Sequence, residues 1–111
     1  MYNAPIDDMR FALTHLAKMH EISQLPGLED ATPDVIDAVL EEAGKLAGQI
    51  WAPTNRDGDT KPAELVDGHV KTSPGFKDAF QQFVDGGWNG LNCPADFGGQ
   101  NLPWALSIAC L

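Results

Sequence analysis

The chain has 111 residues and a mass of 12.0 kDa, the size of one small domain, which excludes a multidomain enzyme complete within these residues. Hydrophobic residues at 43%, aromatic at 8% and charged at 21% describe a globular rather than a disordered chain. Seven Lys and Arg against sixteen Asp and Glu leave a net charge of −9, which repels phosphate backbones and anionic lipid surfaces and argues against nucleic-acid binding.

The acidic bias sits mostly in residues 1–52, with three basic and nine acidic groups, against four and seven in 53–111. It reads as a solvated surface. Cys93 and Cys110 have no Cys or His neighbour at ligand spacing, so neither a disulfide framework nor a zinc site is expected. The first 25 residues hold Asp7, Asp8 and Glu21 and no apolar run of signal-peptide length, and no 18-residue apolar stretch exists, so no membrane span is expected and a cytoplasmic location is.

Pro and Gly punctuate the chain into four helical stretches. The first, Asp7 to His20, places Met9, Leu13, Leu16 and Met19 on one face, with Asp7 or Asp8 as cap. Gln24 to Ala31, containing Pro26-Gly27, reads as loop. The second helix opens with Thr32 as cap and Pro33 at the first helical position, where its missing amide costs nothing. Ile36, Val39, Leu40, Ala43, Leu46, Ala47 and Ile50 form its apolar stripe, and Pro53 is expected to end it by crowding the preceding residue out of helical geometry.

Thr54 to Thr72 carries no helical period and reads as a long connection, within which Glu64 to Lys71 is a candidate hairpin about Asp67-Gly68. The third helix starts with Ser73 as cap and Pro74, gathers Phe76, Ala79, Phe80, Phe83 and Val84 on a face expected to be core, and stops at Gly86-Gly87, with Trp88 folding back on its last turn. A Gly- and Asn-rich loop leads to a fourth helix near Leu102-Pro103, with Trp104, Ile108 and Leu111 at spacings of four and three. It meets no stop signal before Leu111, so the chain is expected to be the front part of something longer.

Candidate chemistry is sparse. His20-Glu21 begins like a zincin motif, but Gln24 stands where the second histidine belongs. His15 and His20, five apart, point to different faces, and His69 lies beside a turn. Asn55-Arg56-Asp57-Gly58-Asp59 has oxygen side chains at alternate positions, yet Thr60 and Val66 occupy the glycine and glutamate positions of a calcium loop. The glycine pairs make no dinucleotide fingerprint, and Glu41-Glu42 sits on a helix exterior without a pocket. No catalytic, cofactor-binding or metal-ligating residue emerges from spacing.

Several runs nevertheless recur in a recognisable order. Val70-Lys71-Thr72-Ser73-Pro74-Gly75-Phe76-Lys77, Phe80-Gln81-Gln82-Phe83, Gly87-Trp88-Asn89-Gly90-Leu91 and Pro94-Ala95-Asp96-Phe97-Gly98-Gly99-Gln100-Asn101-Leu102-Pro103 resemble the amino-terminal helical domain of acyl-CoA dehydrogenases. Ala4-Pro5-Ile6-Asp7-Asp8-Met9-Arg10-Phe11 and Ala52-Pro53-Thr54-Asn55-Arg56-Asp57-Gly58-Asp59 are similar to one branch of that family, which includes the dehydrogenase acting on 3-methylthiopropanoyl-CoA. The resemblance spans nearly the whole chain. It implies an all-α fold, a small antiparallel helical bundle over residues 1–111, truncated at its carboxy end.

The family so resembled desaturates acyl-CoA thioesters between the second and third carbons: a carboxylate base takes the proton next to the carbonyl, FAD accepts a hydride, and an electron-transfer flavoprotein carries the electrons away. The base and much of the flavin site belong to a carboxy-terminal bundle and a middle β domain, neither matched here, so no catalytic residue carries over. Phe97, Gly98, Gly99 and Gln100 fall, by resemblance, in a substrate-facing loop. The isolated chain is expected to hold no FAD, to turn over no acyl-CoA, and to self-associate through an apolar side that includes Trp104, Ile108 and Leu111. The alternative is a freestanding acidic helical module that binds a partner helix in an apolar groove.

Overall fold

A computed structural model describes residues 1–111. The chain is mostly helical, in the order α1 (Ile6–Phe11), α2 (Met19–Ile22), α3 (Pro33–Lys45), α4 (Asn55–Thr60), strands β1 (Glu64–Val66) and β2 (His69–Lys71), α5 (Phe76–Asp85) and α6 (Trp104–Ala109).

The first helical stretch is less regular than its pattern predicts. After α1 the coil widens over Ala12–Leu16, where the Ala17 amide reaches the Ala12 carbonyl five residues back at 2.9 Å. Lys18 then takes a left-handed conformation, φ 54°, and redirects the chain into α2. This break buries Leu13 and Met19 but turns Leu16, which its spacing groups on the same face, out to solvent at 76% exposure. Neither Asp7 nor Asp8 caps α1; Asp7 instead accepts from Arg10.

The start of α3 follows local rules closely. Thr32 Oγ1 accepts the Val35 amide at 3.3 Å and Pro33 follows it. Its end does not, because Pro53 fails to stop the coil. Over Leu46–Trp51 the helix widens and the Ala52 amide reaches the Ala47 carbonyl. The proline nitrogen, which has no proton, leaves no donor unmet, and the chain passes through a tight turn at Ala52–Thr54 directly into α4. The first third of the expected connection is therefore helix.

β1 and β2 pair antiparallel with Glu64 opposite Lys71, Leu65 opposite Val70 and Val66 opposite His69. Asp67 and Gly68 both have positive φ, 50° and 77°, which matches the right-handed twist of a two-residue hairpin. The ribbon is exposed throughout and interrupts an otherwise helical chain.

At α5 the expected cap is wrong. Ser73 is buried, and left-handed Gly75, φ 81°, immediately precedes the helix. Of its apolar face only Ala79 is buried, while Phe80 is 58% exposed. The expectation that this phenylalanine stripe is core is thus corrected: α5 lies over the widened turn of Leu46–Trp51, where Trp51 meets Phe83 edge-on at 6.2 Å, and nothing covers its outer side. The glycine stop is real: Gly87 is left-handed, φ 73°, and Trp88 folds back over Gly86 onto the core.

The core joins Leu13, Met19, Ala31, Ile36, Leu40, Leu91, Leu102 and Leu106. It is thin. The molecule measures 52 × 34 × 18 Å with a radius of gyration of 16.5 Å, against about 13 Å for a free-standing domain of this length. Its accessible surface, 7781 Å², exceeds the about 6,000 Å² usual for this mass. This chain is a slab, not a ball.

Candidate functional site

The loop that holds Phe97, Gly98, Gly99 and Gln100 is fastened to its own base. The Gln100 amide donates to the Gly90 carbonyl, the Asn101 amide to Cys93 and the Leu102 amide to Leu91, each at 2.9 Å. These bonds run the segment after Gly99 alongside the segment after Gly90. Gly99 allows it: a Cβ there would overlap the Cys93 carbonyl. Gly98 is left-handed, φ 82°, and closes the tight turn Ala95–Phe97. Gln100 Nε2 donates to the Gly87 carbonyl at 3.3 Å, tying the loop to the end of α5.

The four residues therefore play different parts. Gly98, Gly99 and Gln100 build the turn, whereas Phe97 contributes a ring that is 87% exposed. α6 follows at once, and Trp104, Ile108 and the adjoining Leu111 are 70%, 65% and 89% exposed, as their shared face predicts. The opposite face of α6 buries Leu106 and Ser107, whose hydroxyl donates to Asn92 Oδ1 at 3.3 Å. One helix thus presents one sealed side and one bare apolar side.

His15 and His20 are exposed, and His20 lies 3.8 Å from Glu21. Groups of three or more His, Cys, Asp or Glu at metal-binding distance do not occur. Arg10 binds Asp37 at 2.6 Å and Asp7 at 2.8 Å, and the Asp37 hydrogen bond holds the guanidinium above its usual range. Burial pushes the Cys110 thiol up to about 11, which makes it a poor nucleophile at neutral pH. Every buried side-chain nitrogen and oxygen has a hydrogen-bond partner.

Sequence reasoning missed two features. The Arg10–Asp37 pair binds α1 to α3 across 27 residues, a separation no local pattern encodes. Asn101, left-handed with φ 54°, ties the loop to Gly27; the only local signal is that Asn tolerates that conformation better than most residues.

No protein-family model matches the chain. Over 108 residues, 97% of its length, it is 39% identical to the 3-methylmercaptopropionyl-CoA dehydrogenase of Ruegeria pomeroyi. The chain spans 18% of the length of that relative. No helix here is long and apolar enough to cross a membrane. Along nearly its whole length the chain is therefore homologous to part of an acyl-CoA dehydrogenase, in keeping with the motifs between Val70 and Leu106.

Proposed function

We propose that residues 1–111 are the amino-terminal helical domain of an FAD-dependent acyl-CoA dehydrogenase-like oxidoreductase, acting in the cytoplasm. The observation that carries this reading is 39% identity sustained over 97% of the chain but only 18% of the relative. In it, α1, α3, α5 and α6 belong to an antiparallel bundle. The tied loop presents Phe97 beside the acyl-CoA substrate, and the bare face of α6 packs against segments that supply the flavin site and the base. The electrons leave to an electron-transfer flavoprotein. The chain by itself contributes walls rather than chemistry, so alone it is colourless and inactive.

The thin slab, its excess surface and the exposed Phe80, Phe97, Trp104 and Ile108 support this role, because uncovered apolar side chains gathered together mark a place for other protein. When nothing else covers it, the same face drives self-association. A chimera tests the reading: this chain replaces the matching segment of the Ruegeria pomeroyi dehydrogenase. A yellow protein whose flavin absorbance bleaches on addition of 3-methylmercaptopropionyl-CoA is the expected result. A folded, flavin-loaded chimera that does not bleach overturns it.

A further inference from the structure

Away from the tied loop and α6, a cavity of about 370 Å³ opens where α1, α2 and the start of α3 meet. That volume lies in the range of small-molecule sites. Its floor is the buried core itself, Leu13, Met19, Ala31 and Ile36. Both backbone irregularities of the first helical stretch shape its wall. The widened turn Ala12–Leu16 places Leu13 and Thr14, and left-handed Lys18 redirects the chain so that Met19 faces the floor and His20 the rim. Wide turns of this kind recur at functional sites, and a lysine held at φ 54° costs about 1–2 kcal/mol that the surrounding structure must offset.

The rim specifies the chemistry. Arg10 is the one full cation lining the cavity, and Asp37 and Asp7 already match it. Arg10 and Asp37 are the formal charges of the lining and pair with each other, so the lining is neutral and offers neither an anion nor a cation an unpaired charge. The Thr14 hydroxyl and the Gln24 amide also line the cavity and make no hydrogen bond within the chain. Together they offer donors and acceptors to an uncharged group.

We propose that this cavity is a binding site for a small uncharged amphipath, a compact apolar body seated on Leu13, Met19, Ala31 and Ile36 with an amide or hydroxyl head held by Thr14 and Gln24. The proposal is independent of the dehydrogenase reading, since no residue lining this cavity belongs to the 86–102 loop or to α6 and it asks only for binding.

The test is a titration of the isotopically labelled chain with phenylacetamide, followed by amide chemical shifts, with phenylacetate and phenethylammonium as charged analogues of the same body. Saturating shifts confined to residues 13–14, 19–24 and 31–37 are expected, with a Kd of about 1–10 mM for a ligand of this size. Both charged analogues should bind more weakly. Ala31→Leu should fill the cavity and abolish binding. Thr14→Val, at an exposed position where the fold is not at risk, should weaken phenylacetamide by about three- to fivefold through the lost hydrogen bond. Absence of saturation, shifts centred elsewhere, tighter binding of either charged analogue, or a Thr14→Val variant that binds like the parent overturns the proposal.

Discussion

The Asn101 side-chain amide donates to the Gly27 carbonyl at 2.5 Å, joining two loops 74 residues apart in sequence. Both residues have positive φ, 54° and 87°, so each loop is bent into a conformation that aims one partner at the other. This contact pins the 86–102 loop to the turn that precedes α3. Replacing Asn101 separates the two contributions. Asn101→Gly removes the bond while keeping the left-handed conformation accessible, and with the added backbone entropy of glycine should cost about 0.5–1.5 kcal/mol. Asn101→Ala should cost about 1 kcal/mol more, because alanine tolerates the left-handed region poorly. Urea unfolding midpoints should fall in the order parent, glycine variant, alanine variant; a glycine variant as stable as the parent would show that the bond contributes nothing.

Two glycines close in space should respond unequally to one methyl group. At Gly99 a Cβ collides with the Cys93 backbone carbonyl, which cannot rotate away, whereas at Gly90 the nearest atom would be the Gly99 Cα at an ordinary 3.5 Å. Gly99→Ala should therefore destabilise by about 1–3 kcal/mol, and Gly90→Ala should stay within about 0.5 kcal/mol of the parent. Thermal unfolding of the two variants side by side checks this.

What the sequence made legible were features closed by a few consecutive residues. Thr32-Pro33 caps and starts α3, Asp67-Gly68 turns the hairpin, and Gly87 stops α5, because each depends on local dihedrals and one short bond. What stayed hidden depends on distant partners. Pro53 looks like a terminator until the Ala52 amide finds Ala47 and dispenses with the usual ladder. Phe80 looks like core because periodicity reports only that a face is apolar, not that anything lies opposite it. The same gap applies to the site: motif order in residues 70–106 marked the loop of Phe97 to Gln100, but not the tie from Asn101 to Gly27 that holds it.

The two thiols should part company with pH. Cys93 is exposed, whereas burial raises Cys110 to about 11 from an ordinary 9.0. Because the unfolded chain releases the Cys110 proton at lower pH than the folded chain does, stability is intact below about 9 and declines as pH rises toward about 11. Cys110→Ala should flatten that decline relative to the parent. At pH 8, a chromogenic disulfide reagent should label Cys93 quickly and Cys110 only slowly; equal rates would mean that Cys110 is not shielded.

Trp104 and Ile108 stand one helical turn apart on the bare face of α6, 70% and 65% exposed, while Leu106 between them is sealed at 0%. A face of this kind left in water favours contact with a second copy, since each large side chain removed from solvent contributes about 1.5–3 kcal/mol. Sedimentation of the chain should show concentration-dependent association at about 100 μM, an order of magnitude set by an interface of modest size. Trp104→Lys and Ile108→Lys alter only exposed positions, so the helical circular dichroism should persist while the sedimentation coefficient falls to that of a monomer. Trp104 fluorescence should also shift to the blue as the parent associates. Association undiminished in both lysine variants would place the contact elsewhere, the stacked rings of Phe80 and Phe83 on α5 being the next surface to test.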